Sequence, residues 1–239
     1  MATKLKYKRI LVKLSGESLA GKGEGGIDGE ALVEVAKNIH ELAKMGCEVG
    51  VVIGGGNIWR FRDFKDIKLD RVTSDTMGMM ATVMNSLALE AALAGLKAKV
   101  RAVSSFPAEK AMENYVPKRA LHHLKKGSIV IFAGGTGSPF FTTDSAAALR
   151  ALEMQCDVLI KATKVDYVYD KDPMKYKDAK KFEKMTFDQV LDKKLGVMDM
   201  TCAALLKEAD VPMLVINMSK KGNFVKAVKG EKVGTLITK

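Results

Sequence analysis

The sequence predicts an α/β protein: a three-layer αβα sandwich whose central sheet is mainly parallel. Three observations carry that expectation. Short apolar runs rich in Val and Ile alternate with longer segments that are apolar at helical spacing, the pattern of a parallel sheet covered on both faces. The glycine-rich and charged clusters fall just after the short runs. No Pro/Gly/Ser linker or internal repeat divides the 239 residues, so one domain is expected over 1–239.

Each element has its own warrant. Lys8 to Leu14 (KRILVKL) reads as a buried strand, followed by Ser15-Gly16-Glu17 and the loop GKGEGG over 21–26. Asp28 caps a helix running to about Met45, with Leu32, Val35, Ile39 and Leu42 on one face, and Gly46 closes it. Glu48 to Ile53 is a second strand, ending in Gly54-Gly55-Gly56-Asn57, and a polar segment runs to Ser74. A helix over 75–95 carries Met77, Met79, Met80, Met84, Leu87, Leu89 and Leu93; it is apolar most of the way round and is expected to be buried on more than one side. Lys99 to Val103 is a third strand, Pro117 to Lys126 a basic helix, and Ile129 to Phe132 a fourth strand. A helix follows from near Thr143 or Asp144, either of which can cap it, and then a strand over 157–161. Helices over 186–194 and 198–209, a strand over 211–216, a short helix over 223–228 and a last strand over 234–237 finish the chain.

Composition bounds the function. The chain is 47% hydrophobic and 28% charged, which suits a globular protein with a full core. It has no run of about 18 apolar residues, so no membrane span is expected. The start, MATKLKYKR, leads straight into a strand with no signal-peptide core. Cys47, Cys156 and Cys202 lie far apart in apolar settings and read as reduced core thiols of a cytoplasmic protein. His122 and His123 fall on a Lys-rich helix and read as solvated. The net charge of +11 is spread along the chain with no aromatic-interleaved nucleic-acid motif, so no specific nucleic acid is expected. Anionic small substrates steered to a cleft explain the charge equally well.

The stretch IVIFAGGTGSPFFTTDSAAALR, 129–150, leads from a strand through a Gly/Thr loop into a helix start. Unpaired loop amides and the helix dipole then point at one place, which suits phosphate. Thr142 and Thr143 add hydroxyl donors. Asp144 would be repelled there unless it holds a lysine, a ribose hydroxyl or a metal; otherwise it is simply a helix-start acid. Comparable clusters follow the first, second and fifth predicted strands: KLSGE, GGGN and KATKVDYVYDKDP. The carboxyl ends of parallel strands form a ligand crevice, so four loops converge there. Lys13, Arg60, Lys161 and Lys164 are available as cations, more than one phosphate needs, and two phosphorylated ligands are expected. One decoy is GESLAGKG (16–23): a P-loop needs Ser or Thr after the lysine and a helix starting there, and this chain has Gly23 and a helix starting near Asp28.

On LVKLSGE (11–17), GGGN (54–57) with Arg60, DTMGMMATVMN (75–85), GTGSPFFTTD (135–144), KATKVD (161–166), DP (172–173), VMD (197–199) and GTLI (234–237), the chain resembles the bacterial-type UMP kinases of the amino acid kinase superfamily over nearly its whole length. The resemblance implies the amino acid kinase fold, the reaction ATP + UMP → ADP + UDP, Mg²⁺ carried by ATP, and a homohexamer built as a trimer of dimers with the long helix in its dimer interface. It implies that Lys13, Leu14, Ser15, Gly16, Gly56, Arg60, Thr163, Tyr169 and Asp172 touch ATP. Gly55, Asp75, Thr136, Gly137, Ser138, Pro139, Phe140, Phe141, Thr142 and Thr143 would hold UMP. Lys13 and Lys161 would neutralise the transferring group, with Asp144 orienting them; a base is not required, because a phosphate acceptor is already ionised. No protein metal ligand is implied. The chain departs from the family pattern at Ser138 (usually Asn), Tyr167 (usually Gly) and Phe61 (often Gly). The 21–26 loop lacks the aromatic that relatives responding to GTP often carry, so weak or absent GTP activation is expected. Carboxylate kinases of the same superfamily are the nearest rival; the TTD motif and Asp75 favour a nucleotide acceptor.

Overall fold

The computed structural model describes residues 5–21, 25–60 and 68–239. The elements, in chain order, are β1 (Arg9–Leu14), a 3-10 turn (Gly16–Leu19), α1 (Gly29–Lys44), β2 (Glu48–Ile53), α2 (Arg71–Gly95), β3 (Val100–Ser104), β4 (Glu113–Asn114), α3 (Pro117–Lys125), β5 (Ile129–Ala133), α4 (Thr143–Glu153), β6 (Val158–Thr163), β7 (Val168–Tyr169), β8 (Lys181–Phe182), β9 (Lys184–Thr186), α5 (Phe187–Asp192), α6 (Met200–Glu208), β10 (Met213–Asn217), α7 (Asn223–Lys229) and β11 (Thr235–Thr238). Nine strands form one sheet in the order β4-β3-β5-β2-β1-β6-β10-β11-β9, and β7 and β8 pair apart from it. The pairs from β4 across to β10 are parallel, and β11 runs antiparallel to β10.

Strand parity divides the core in two. Ile10, Val12 and Leu14 face one layer with residues of α1, α2 and α7, whereas Leu11 faces the other with residues of α3, α4, α5 and α6. Val158 and Ile160 of β6 join the first layer and Leu159 joins the second. The position after Leu11 on the second face is Lys13, and the position after Leu159 is Lys161.

Several expectations need correction. The long helix begins a turn before Asp75: Asp70 is its cap and accepts a hydrogen bond from the Thr73 amide at 3.0 Å. It is also less enclosed than its composition suggests. Met79, Leu89 and Leu93 are buried, while Met77, Met80 and Met84 are exposed. α2 is long and apolar enough to cross a membrane by length and composition, but its contacts with α1, β3 and β5 mark it as a core helix. The sixth strand runs on to Thr163, so Lys161 sits within it. The segments at 186–194 and 198–209 shorten to α5 and α6, because Thr186 forms a capping box and Asp199 a cap. Four strands of two or three residues, β4, β7, β8 and β9, went unpredicted. His122 is exposed as expected, but His123 is half-buried beside Glu113, 3.4 Å away. The three cysteines are free and buried.

Candidate active site

β1 and β6 are neighbours, and their register sets Lys13 directly opposite Lys161. Equal parity sends both side chains to the α4 face. α4 begins there, with Thr142 as its cap in place of the predicted Thr143 or Asp144; the Thr142 hydroxyl accepts from the amides of Asp144 and Ser145. Asp144, in the first turn, falls between the lysines. Lys161 Nζ lies 2.5 Å from its Oδ2 and Lys13 Nζ 2.9 Å from its Oδ1. The second contact is an ion pair without hydrogen-bond alignment, since Oδ1 accepts no hydrogen bond. Lys161 also donates to the Val197 carbonyl. All three side chains are largely covered, at 14, 16 and 13% exposure for Lys13, Asp144 and Lys161.

Burial alone would favour the neutral acid at Asp144; the Lys13 and Lys161 ammonium groups outweigh it and hold the carboxyl below the ordinary carboxylate range. Burial pushes the Lys161 ammonium below the usual lysine range, with Asp144 opposing that shift and Lys13 adding to it. With one carboxylate between two ammonium groups, the cluster keeps a net positive charge beside the positive end of α4. It attracts oxyanions from either side.

Three cavities open near the cluster. One, of about 690 Å³, is lined by Gly55, Gly56, Arg60, Asp75, Thr136, Ser138, Phe141, Thr142 and Thr143 among others. A second, of about 490 Å³, is lined by Lys161, Thr163, Tyr167, Tyr169, Asp172 and residues 193–197. A third, of about 510 Å³, holds Lys13, Ser15, Lys161 and Thr163 and joins the others through Lys161 and Glu17. The sites implied by resemblance are thus divided. Gly56 and Arg60, assigned to ATP, share the cavity of Asp75. Leu14 and Gly16 are buried at the end of β1. Gly137, Pro139 and Phe140 do not line the 690 Å³ cavity. Phe140 is exposed, with φ 71°, and its amide donates to Asp75 at 2.7 Å. Asp75 also accepts from Arg71 Nε, at 2.7 Å. Ser138 lines the cavity, and its amide donates to the Thr136 hydroxyl at 3.2 Å. Phe61 and Lys22 lie outside the described residues.

Sequence reasoning missed the residues that fix these loops. Thr82 accepts from the Gly134 amide at 2.8 Å and donates to the Met79 carbonyl. Asn57 and Asn85 exchange amide hydrogen bonds at 2.7 and 3.0 Å, and Asn85 also donates to the Gly54 carbonyl, which ties the GGGN loop to α2. Glu17 accepts from Arg60 and lies 3.8 Å from Lys164. Asp199 accepts from the hydroxyls of Thr142 and Ser145, joining the start of α6 to the start of α4. The motifs GGGN, KLSGE and VMD contained Asn57, Glu17 and Asp199; nothing in the Met-rich run singled out Thr82 or Asn85.

A parallel sheet with an ammonium–carboxylate–ammonium cluster beside cavities at its carboxyl edge is the architecture of a phosphate-handling α/β protein. Residues 8–217 match the sequence model of the amino acid kinase family, and the chain belongs to that family. It is 48% identical over 235 residues to the uridylate kinase of Acinetobacter baumannii, covering 98% of this chain and 97% of that protein. It is 50% identical to the uridylate kinase of Chromohalobacter salexigens, covering 98% of this chain and 92% of that protein. The crystal structure of a UMP kinase from Bacillus anthracis superposes with a TM-score of 0.94 at 38% identity, covering 97% of this chain and 96% of that one.

Proposed function

We propose that this protein is a UMP kinase, which transfers the γ-phosphoryl group of ATP to UMP and releases ADP and UDP. One observation carries the reading: Lys13 and Lys161, joined by Asp144, line the 510 Å³ cavity, which shares Lys161 and Thr163 with the 490 Å³ cavity and Glu17 with the 690 Å³ cavity, in a chain about half identical to uridylate kinases over nearly its whole length. The 690 Å³ cavity takes UMP, with Asp75 accepting from ribose hydroxyls and the 136–143 loop beside the phosphate. The 490 Å³ cavity takes the nucleoside of ATP between Tyr169 and Asp172, and the third cavity takes its phosphates beside Lys13 and Ser15.

Two polyanions repel one another, so the chemistry is chiefly positioning and charge neutralisation. Lys13 and Lys161 stabilise charge on the transferring group, and Asp144 fixes both ammonium groups. The acceptor oxygen is already ionised, and Asp144 is held ionised between two cations, so it does not serve as a base. Each Asp144 oxygen faces an ammonium, and among the described residues no group of three or more His, Cys, Asp or Glu side chains converges. Mg²⁺ is proposed to travel on the phosphates of ATP.

The chain is further proposed to act as a single domain in the cytoplasm and as a homohexamer. The exposed row Met77, Met80 and Met84 on α2 supports association, because contiguous apolar surface on a lone chain favours burial. Sedimentation should give a species several times the 26.0 kDa of one chain; a stable monomer at micromolar concentration overturns that part. The activity is tested by ADP release with UMP, CMP, AMP, GMP, acetylglutamate, glutamate and aspartate as acceptors. Turnover is expected with UMP, and turnover confined to a carboxylate substrate overturns the reading.

A further inference from the structure

Behind the acceptor loop lies a buried charge that the reaction does not use. Arg150, near the end of α4, is 3% exposed. A buried guanidinium must be paired, since an unpaired one costs several kcal/mol in roughly this setting. Its partners are specific. It donates to Glu153 one turn on, and to the Ser105 hydroxyl at 2.7 Å. Its planar head lies over the Tyr115 ring, 4.0 Å from the centroid. Tyr115 in turn donates to Glu153 at 2.6 Å, and burial together with that carboxylate pushes the phenol above its ordinary range, so it remains a donor. A weaker contact reaches the Gly135 carbonyl at 3.4 Å.

Ser105 is where this cluster meets the acceptor loop. Gly134 and Gly137 both have positive φ, 75° and 85°. A Cβ on Gly134 would stand 2.5 Å from the Phe106 amide nitrogen, and one on Gly137 would stand 2.8 Å from the Ser105 carbonyl oxygen. The two glycines therefore ride directly on the backbone of residues 105 and 106, with nothing between. Ser105 is also bonded to the end of β5 through its amide and the Ala133 carbonyl, at 3.1 Å. The sequence of support is continuous: α4 holds Arg150, Arg150 holds Ser105, and Ser105 carries the loop whose other side lines the acceptor cavity.

We infer that Arg150 is a positioning residue for the UMP phosphate: through Ser105 it fixes the height of the 134–137 loop against the acceptor cavity, while touching no substrate itself. The inference rests on the reading of that cavity as the UMP site. It explains why an arginine stands here. Only a planar fork can bond Glu153 and Ser105 at once while stacking on Tyr115; a lysine would satisfy one of these. It also explains the specificity of the expected effect. Arg150 reaches the acceptor loop and none of the residues lining the donor cavity, so its loss should be felt by one nucleotide.

The test is steady-state kinetics and calorimetric binding of UMP and of ATP to the full chain, for wild type, Arg150→Met, Arg150→Lys and Ser105→Ala. Wild-type turnover of UMP tests the functional reading by itself; the variants test the inference. Arg150→Met should raise the UMP KM and Kd about tenfold or more and leave the ATP Kd within about twofold. Arg150→Lys should lie between the two, and Ser105→Ala, which removes only the hydroxyl link, should weaken UMP about threefold with ATP unchanged. Equal weakening of both nucleotides, or a lowered Tm with both affinities intact, overturns it. If Arg150→Met does not fold, Ser105→Ala decides: unchanged UMP affinity in that variant overturns the inference.

Discussion

The two sides of the cleft are held in different ways. The proposed acceptor side is fastened by buried groups, Thr82 on the Gly134 amide and the Asn57–Asn85 pair on the GGGN loop, with the half-buried Asp75 on the amide of the exposed Phe140 in addition. The proposed donor side is walled by residues 163–173 and 193–197, and its β7–β8 ribbon stands outside the main sheet. Its ion pairs are exposed ones, Lys171–Asp178, Lys181–Glu183 and Lys220–Asp166. Such pairs contribute about 0–1 kcal/mol each. The difference teaches where precision is demanded. The acceptor phosphate must meet the γ-phosphoryl in line, so its loop is fixed by groups that cannot move without leaving a buried donor or acceptor unpaired. The far end of the donor nucleotide tolerates a softer wall.

The largest effect should come at the charged cluster beside the cavity assigned to the ATP phosphates. Lys13→Ala removes a preorganised charge from that cluster, and losses of that kind cost about 10²–10³ in rate. Turnover should fall by that factor with the fold intact by circular dichroism. A variant keeping more than a tenth of wild-type activity would place the reaction elsewhere. A merely exposed strand-end lysine would predict no change, and 14% exposure argues against that description.

A smaller and one-sided effect is expected from Asp75→Asn. A hydrogen bond to a charged group contributes about 1.5–3 kcal/mol, or about tenfold to a hundredfold in affinity. The UMP KM should rise by at least about tenfold and the ATP KM by no more than about twofold. A helix-cap role for Asp75 is already removed, because Asp70 is the cap. Matched changes in both constants would show that the sides are coupled and would break the comparison.

The asymmetry was partly legible beforehand. Lys13 and Lys161 each follow three apolar residues in a strand, and strand parity fixes which face such a lysine takes, so their meeting follows from ILVK and VLIK once the strands are neighbours. The four loops at the strand ends were equally readable, because glycine and proline mark where pairing stops. The fastening groups were not. Thr82 and Asn85 sit in a run whose methionines dominate its apolar pattern, and their polarity matters only through partners about 30 and 50 positions away in sequence. Arg150 looks like any helix-end cation until its burial is known. β7, β8 and β9 are too short to show a period of two. Gly56 and Arg60, which the resemblance sets against ATP, line the same cavity as Asp75, with Arg60 bonded to Glu17 and to the Gly56 carbonyl.

The smallest effect should fall on the donor side, at Tyr167. Tyr167 lines the donor cavity, meets Tyr169 edge to face with centroids 6.5 Å apart, and lies 4.5 Å beneath the Lys181 ammonium. An aromatic pair contributes about 0.5–1.5 kcal/mol beyond its buried area, and partial exposure puts this one at the low end. Tyr167→Gly should therefore raise the ATP KM about two- to fivefold and leave the UMP KM unchanged. Tyr167→Phe should behave as wild type, since the ring and not the hydroxyl supplies the wall. Lys181 keeps Glu183 at 3.1 Å as a partner in either variant, so the charge balance of the wall is preserved and the change reports the ring alone. Glycine also loosens the backbone ahead of β7; Tyr167→Ala separates the two, because it lacks the ring but restores a Cβ. If both Tyr167→Gly and Tyr167→Ala raise the UMP KM as much as the ATP KM, the donor wall transmits to the acceptor loop and the two sides are one mechanical unit.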